Sequence, residues 1–449
     1  MTKLKYLQNF LILLFVGSAL CAVQACGDDE EDEPIQEPNE EEVVKPDEEP
    51  NKKPGDENEN HSYDNGEIAK IFRGTGTEND PYIISSAAEL RKLANDVNSG
   101  MKYKGEYFRM TKNITFNRNV LDEEGNLKGH PSEYDVWTPI GAGDNTSFNG
   151  IFDGGGFTIS GLYIPSGSLF ANIPTLKNLT LKDSYIGSGA FAGNSGTIIN
   201  CHNYATAVYG ITYSNRGLIE KCSNYGRCSK AGIAFRCWGV VNETLNAGIV
   251  DGVGFVDQMF GEIRNSANLG IVSSYGFSHY LHDEGELYPD NNPHKYPARI
   301  RNCLNAGKIK SESEKTAFAG FCYVISSLVD DLDMFIENNV NYAECEVADK
   351  ENTVGIVYRC AQPRSNKSCI YISNNYYIET FSHIPWSDYR NWLSDVNKWE
   401  AENNRCLSAK EMKEDSFLDE LNANARKLGA DYCKWKKGKG GLPILEWME

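Results

Sequence analysis

The 449-residue chain lacks several features that would assign it to a common functional class. Its net charge is −19, and no stretch supplies the basic face that nucleic-acid binding requires. Its 13 cysteines show none of the paired short spacings of a zinc site, and the His-Glu-x-x-His motif of metallopeptidases is absent. No apolar run is long enough to span a membrane as a helix. We therefore expect no nucleic-acid partner, no bound metal and no cofactor.

The N-terminus resembles a lipoprotein leader. Lys3 and Lys5 precede a short apolar run at 10–16, and Val23-Gln24-Ala25-Cys26 is similar to a bacterial lipobox, whose cysteine becomes the acylated first residue of the mature protein. We expect 1–25 to be a signal peptide and Cys26 to be held in outer-membrane lipid, since each buried methylene contributes ~0.8 kcal/mol. An ordinary cleaved signal peptide is the alternative.

An acidic, proline-rich segment follows Cys26. Sixteen acidic and three basic residues lie between positions 27 and 60. Such a segment has too little apolar surface to offset the entropy of ordering, so the composition predicts a disordered stalk over 26–66. The run that begins Gly27-Asp28-Asp29-Glu30 is similar to the surface-export signal of Bacteroidetes-type lipoproteins, which implies exposure at the cell surface.

Folded structure is predicted to begin with an N-terminal cap and first coils over 67–165. Ser86-Ala87-Ala88-Glu89 is a capping box at the start of a helix. Leu90, Leu93, Ala94 and Val97 then recur at helical spacing, and Gly100 can end the helix.

The phrase Ile-x-Asn-x-x-Asn recurs between Leu176 and Tyr377. From Asn203 to Asn268 the second asparagine returns every 21 or 22 residues, a period that indicates a solenoid. Short apolar runs bounded by Gly, Asn and Ser fill each period, and stacking would pair them in parallel about 4.8 Å apart. Such connections prefer the right hand. The sequence therefore predicts a mainly β fold, a right-handed parallel β-helix over 166–380 with small α-containing caps.

The repeated asparagines have two predicted roles. Asparagine tolerates the left-handed backbone of a tight corner, and stacked amides can pair along a column. Cys201, Cys222 and Cys303 share the position after the first asparagine, where a small inward side chain is expected. A Cys201–Cys222 bridge is the alternative, since neighbouring coils lie within disulfide reach.

Ordered motifs in the N-terminal part resemble a known family. Asp80-Pro81-Tyr82-Ile83, Trp137-Thr138-Pro139-Ile140-Gly141 and 148–162 are similar to the same part of bacterial surface β-helix proteins that carry the GLUG motif. That module also occurs beside the peptidase part of some IgA-cleaving metallopeptidases. The resemblance covers about 70–380 and the tail. It implies a right-handed β-helix on a surface or secreted protein, and no particular reaction.

Three later repeats carry inserts at the same place, at 277–298, 321–334 and 358–370. Insertions at one place in stacked coils project from one face, often the binding face. We predict that they form a recognition surface for a carbohydrate or protein; surface loops without a ligand are the alternative. The candidate ligand-binding residues are His279, Tyr280, His282, Asp283, Tyr288, His294, Tyr296, Asp330, Asp331, Asp333, Arg359 and Arg364.

The tail, 381–449, is predicted to be a C-terminal helical cap that covers the last coil. Its helical segments are marked by Trp392, Val396 and Trp399, by 407–412 and by 417–422. Cys406 and Cys433 are candidates for a disulfide within this cap. Cys360 and Cys369, which bracket the third insert, are a second candidate pair.

These features favour a cell-surface lipoprotein that binds a glycan or protein on a β-helix. A carbohydrate-active lyase or hydrolase is the first alternative. Such enzymes carry carboxylates on stacked strands, whereas Asp330, Asp331 and Asp333 lie in one loop and do not recur in register, so no enzyme is expected. A structural, fimbria-associated subunit is the second alternative.

Overall fold

The computed structural model describes residues 72–143, 146–283, 298–312, 317–327, 333–348, 350, 353–360, 369–381 and 399–449. Cys26 and the predicted stalk therefore lie outside the described residues, as do the centres of the three inserts. The described chain consists mainly of short strands, and all of them except one C-terminal hairpin pair in parallel with strands of neighbouring coils. This arrangement confirms the predicted parallel β-helix. No helix in the described ranges has the length and apolarity needed to cross a membrane.

Two long parallel sheets run along the solenoid, with one or two strands from each coil in each sheet. The strands of the first sheet are Tyr82–Ile84, Tyr107–Met110, Ile151–Asp153, Phe170–Lys177, Ala192–Ile199, Thr212–Asn215, Leu218–Glu220, Ala234–Cys237, Val240–Asn242, Val256–Met259, Glu262–Arg264, Ser278–Asp283, Arg299–Arg301, Cys322–Ser327, Met334–Glu337, Val357–Cys360, Ile370–Ser373 and Trp399–Glu402.

The strands of the second sheet are Ile114–Thr115, Thr158–Ser160, Tyr163–Ile164, Thr180–Ile186, His202–Tyr209, Ser223–Asn224, Arg227–Ala231, Leu245–Asn246, Ile249–Val250, Ala267–Asn268, Ile271–Val272, Leu304–Asn305, Lys308–Ser311, Val340–Asn341, Glu344–Val347, Tyr376–Ile378 and Arg405–Leu407. Phe318–Ala319 and Thr353–Val354 form a further parallel pair, and Trp435–Lys437 and Pro443–Leu445 form an antiparallel hairpin.

Each coil turns at the Ile-x-Asn-x-x-Asn phrase, and the two asparagines of the phrase have different structural roles. The first slot adopts the left-handed backbone, with φ of 52° at Asn200 and 55° at Asn302. The second asparagine is fully buried and donates its amide to the copy in the next coil, at 2.8 to 3.1 Å. This inner amide ladder comprises Asn203, Asn224, Asn246, Asn268, Asn305 and Asn341. Both predicted roles of asparagine are thus present, at separate positions.

The interior is filled by columns of apolar side chains that repeat from coil to coil. Phe255, Phe277 and Phe321 are fully buried and stack, with ring centroids 4.5 and 4.9 Å apart. Cys201, Cys222 and Cys303 lie in another inner column, as expected for a small inward position. Cys201 and Cys222 are free thiols, so the alternative of a bridge between them is not realised in this structure.

The buried thiols should resist alkylation in the folded protein. Burial raises the pKa of Cys228 and of Cys237 to about 12, so almost no thiolate forms at about pH 8. We expect iodoacetamide to label Cys406, which is only partly buried, well before these two in native protein. Peptide mass spectrometry before and after denaturation measures the order. Equal native labelling of Cys228 and Cys406 would contradict the packing of the coils.

The predicted N-terminal helix is confirmed. Helix α1 spans Ala87–Asn98, and Ser86 accepts a hydrogen bond from the Glu89 amide at 3.2 Å. The Glu89 carboxylate accepts from the Ser85 amide at 2.6 Å, one residue before the partner that the capping box predicts. The inward side of α1 is buried as predicted and covers the start of the solenoid; it consists of Leu90, Leu93, Ala94 and Val97.

The prediction that the tail is helical from 381 onward is wrong for residues 399–407. Trp399–Glu402 and Arg405–Leu407 pair in parallel with the preceding strands and complete one more coil. Ala401 pairs with Ile372 of the preceding coil, and Asn403 holds the first asparagine slot opposite Asn374. Asn404 stands opposite Asn375 in the next position, and Cys406 holds the second slot. Helix α2, Asp415–Leu428, contains the predicted segment 417–422. The predicted segment 407–412 instead ends a strand and enters a short 3-10 helix, Glu411–Lys413.

Residues 408–449, here the C-terminal cap, fold back along the side of the last coils. The Trp435 indole donates to the Asn302 amide oxygen at 2.6 Å, and the Trp447 indole donates to the Asn265 carbonyl at 2.7 Å. The cap covers outward apolar side chains that stack in the second sheet, namely Ala267, Leu304, Val340 and Tyr376. Cys406 and Cys433 are free thiols, so the predicted bridge between them is absent.

Candidate functional site

The structure describes part of the predicted recognition surface. His279, Tyr280 and His282 lie on the strand Ser278–Asp283, and Arg359 is exposed on Val357–Cys360. The remaining candidates, or their side chains, lie outside the described residues. They are Asp283, Tyr288, His294, Tyr296, Asp330, Asp331 and Arg364.

Asp333 has a structural contact at the base of its insert. Its Oδ1 atom accepts a hydrogen bond from the Cys369 amide at 2.9 Å and so ties the second insert to the third. The Cys360 side chain lies outside the described residues, and the Cys360–Cys369 bridge stays a prediction.

The located candidates belong to a larger surface, in which successive strands of the first sheet align their outer side chains. An aromatic column contains Tyr213, Phe235, Asp257, His279, Tyr323 and Tyr358. Beside it, a polar column contains Asn172, Asn194, Ser214, Arg236, Gln258, Tyr280, Val324 and Arg359. A flanking column contains Arg216, Trp238, Phe260 and His282. These three columns together are called the recognition face below.

Rings in these columns stack on one another. Trp238 lies on Phe260 with centroids 5.1 Å apart and planes 9° apart, and Phe260 lies 5.6 Å from His282. Tyr280 joins two columns, 3.9 Å from the His279 ring and 5.1 Å from the His282 ring. Because stacked rings cover one another, the columns present mainly ring edges and polar atoms to solvent.

Asp257 interrupts the aromatic column and contacts His279. Its Oδ1 atom lies 3.1 Å from His279 Nδ1, and both side chains are about three-quarters buried. Burial and the Asp257 carboxylate raise the pKa of Tyr280, while Arg359 opposes that change. The Tyr280 hydroxyl therefore keeps its proton at neutral pH and can donate a hydrogen bond to a ligand.

A groove of about 420 Å³ opens at the N-terminal end of the recognition face. Its polar lining includes Asn172, Asn194, Ser214 and Arg216, and Phe148, Ile173 and Pro174 supply apolar surface. The Asn194 amide donates to the Asn172 oxygen at 2.9 Å. From the groove at Asn172 to Tyr280 there are five coil steps of ~4.8 Å, or about 24 Å.

Clusters of ring and acidic residues in the sequence do not reveal most of this face. The sequence signal for these columns is the 22-residue period of the repeat. Tyr213, Phe235, Asp257 and His279 follow one another at intervals of 22 residues, and so do Arg216, Trp238, Phe260 and His282. Aligning the coils by their asparagines would have placed each set in one column.

The described residues also bear on metal binding. Within them, no group of three or more His, Cys, Asp or Glu side chains is arranged to hold a metal ion. His279 and His282, the histidines nearest each other in the first insert, contact aromatic rings on the recognition face.

Comparisons with known proteins find two similarities, and no family model matches the sequence. The chain is 31% identical to halomucin of Haloquadratum walsbyi over 150 residues, which is 30% of this chain but only 2% of halomucin. It is also similar to a crystal structure from Bacteroides ovatus described as a candidate immunoglobulin A1 protease. That match has 18% identity and a TM-score of 0.35, and it covers 84% of this chain and 95% of the other. Neither similarity assigns the chain to a family.

Proposed function

We propose that this protein is a binding module that holds an extended glycan along the recognition face. The observation that supports this most is the alignment of rings, amides and arginines over successive coils, about 24 Å from Asn172 to Tyr280. A polymer can contact such a row unit by unit, whereas a compact ligand would use only one or two coils. Polar groups beside aromatic surface are common in ligand sites, where they fix orientation and specificity.

We further propose that the module is displayed at the cell surface on a lipid anchor. The lipobox-like Ala25-Cys26, the acidic run after it and the resemblance to GLUG-motif surface proteins support this proposal. Protease treatment of intact cells, followed by detection of the folded domain, tests the exposure. Loss of the domain is expected. Complete protection in intact cells, with cleavage after lysis, would contradict exposure and favour a periplasm-facing anchor.

Replacing Trp238 by alanine should weaken glycan binding about tenfold, the effect of losing ~1.4 kcal/mol of contact energy. The indole is a half-buried member of the flanking column and carries Arg216 at 5.8 Å from its ring. A glycan array with the mature chain lacking its lipid would find the ligand, and calorimetry would measure the change.

Tyr204→Ala is the matched control for that experiment. Tyr204 is 41% exposed and stacks on Tyr225 with centroids 4.7 Å apart, but it lies on the second sheet, away from the recognition face. Its loss should leave the affinity unchanged. Equal affinities of wild type, Trp238→Ala and His282→Ala would contradict the proposed site. A protein that bound no glycan would instead favour the structural-subunit alternative.

Cleavage of the bound glycan is a second candidate function, favoured by the contact between Asp257 and His279. A carboxylate that holds Nδ1 of a histidine leaves Nε2 as a proton acceptor, and Tyr280 lies beside the pair. Incubating the identified glycan with wild type and with His279→Gln and analysing chain length tests this. Shortening by wild type alone is expected if the pair is catalytic, and intact chains in both samples would exclude it.

A further inference from the structure

We infer that the recognition face selects acidic saccharides, and that the groove at Arg216 is the subsite for the anionic group. The inference rests on the proposed function, because it names the class of glycan that the face would hold. The charges, the placement of the arginines and their spacing along the columns each support it.

The charge of the recognition face differs in sign from that of the chain. The full chain carries −19, whereas the described residues of the three columns include Arg216, Arg236 and Arg359 against a single carboxylate, Asp257. Asp257 is occupied by its contact with His279. At physiological ionic strength, charges more than ~8 Å away are largely screened. An anion that reaches the face therefore meets mainly its arginines.

Two of the arginines are held in place by neighbours on the face. Arg236 donates from Nε to the Gln258 side-chain oxygen at 2.8 Å, and its guanidinium lies 4.9 Å from the Phe235 ring. Arg216 is exposed, borders the groove and lies over Trp238. A planar guanidinium held this way offers paired N–H groups that match a carboxylate or sulfate, and it needs little ordering when the ligand binds.

The amides of the groove complement the arginine. The hydrogen bond from Asn194 Nδ2 to Asn172 Oδ1 uses one polar group of each side chain. The Asn172 NH2 group and the Asn194 oxygen can therefore face a ligand. No hydrogen bond joins the Asn172 NH2 group or the Asn194 oxygen to another described residue. The groove thus combines a cation, a donor and an acceptor above apolar surface, which suits an anionic group flanked by sugar hydroxyls.

The spacing of the arginines indicates a polymer with repeated charges. Arg216 lies in the same coil as Ser214, and Ser214 pairs with Arg236 in the next coil. Arg359 is four coil steps further along the column. At ~4.8 Å per step these cations cover about 24 Å. Polyuronates and sulfated glycans share the required chemistry, an anionic group on successive or alternate sugar units.

The test compares three oligosaccharides of equal length, one neutral, one with uronic acids and one sulfated, titrated into the mature chain lacking its lipid. At least one acidic ligand is expected to bind ten times or more tightly than the neutral one at low salt, with the advantage shrinking as salt is raised. The stronger of the two acidic ligands identifies the anion. Equal affinities for neutral and acidic ligands would overturn this inference and leave the proposed function standing, whereas binding of none would overturn both.

Variants of Arg216 locate the subsite. Arg216→Ala should reduce affinity for the acidic ligand about tenfold and affinity for the neutral ligand by a clearly smaller factor. Arg216→Lys should restore part of the loss because it keeps the charge without the planar fork. Arg227→Ala is the matched control, since Arg227 is partly exposed, lies on the second sheet and pairs with Asp251 at 2.6 Å. An equal loss with Arg227→Ala would show that net charge alone drives binding and would overturn the assignment of the groove.

Discussion

Replacing Asn246 by alanine is expected to lower the free energy of unfolding by about 4 kcal/mol. Asn246 is fully buried in the inner amide ladder. Its amide donates to Asn268 at 2.8 Å, and its oxygen accepts from Asn224 at 2.9 Å. Alanine would leave both neighbours with an unpaired buried group, at ~1–3 kcal/mol each, and would add a small cavity.

Asn194→Ala is the matched control, because it removes the same kind of bond between coils at an exposed position. Asn194 donates to Asn172 at 2.9 Å, but water can replace that partner, so we expect a loss below ~1 kcal/mol. Urea unfolding followed by tryptophan fluorescence measures both variants. Similar losses would show that burial does not set the strength of the ladder.

Replacing Trp435 by alanine is expected to cost about 3–5 kcal/mol and to loosen the C-terminal cap. The ring is 3% exposed and packs with Leu421 and Leu445 in the cluster between the cap and the second sheet. Its indole nitrogen also donates to Asn302 at 2.6 Å. The substitution removes the packing and the hydrogen bond together.

Thermal unfolding and limited proteolysis separate the two effects of Trp435→Ala. We expect a lower melting temperature and faster cleavage within 408–449, because loss of the ring exposes the apolar column that the cap covers. Trp238→Ala removes the same side chain from its half-buried stack on Phe260, so it should lower the melting temperature less and leave cleavage within 408–449 unchanged. Unchanged proteolysis of the cap in Trp435→Ala would contradict its role in holding residues 408–449.

The sequence predicted the parts of the fold that local patterns specify. The 22-residue period predicted the coils, and the two asparagine slots predicted the corners and the amide ladder. Ser86 and Glu89 predicted the start of α1. The extra coil at 399–407 was missed because Ala401 weakens the apolar signal and Cys406 stands in the second asparagine slot, although Asn403 repeats the first.

Other features depend on contacts that no local pattern contains. Trp435 and Asn302 are 133 residues apart in the chain, so the position of the cap follows from tertiary packing alone. The recognition face is partly predictable from the sequence. Its residues recur at the coil period, but their spacing becomes informative only when the outer and inner sides of each strand are known.

The direction of the amide bonds has a consequence for the electrostatics of the whole rod. In the inner ladder every amide donates toward the C-terminal end, as Asn224 does to Asn246. The asparagines of the first slot, at the corners, donate toward the N-terminal end instead, as Asn302 does to Asn265. The dipoles of the two columns therefore oppose each other. An α-helix accumulates a macrodipole because its peptide dipoles all point one way. These asparagine columns can extend coil by coil without adding a comparable potential at either end.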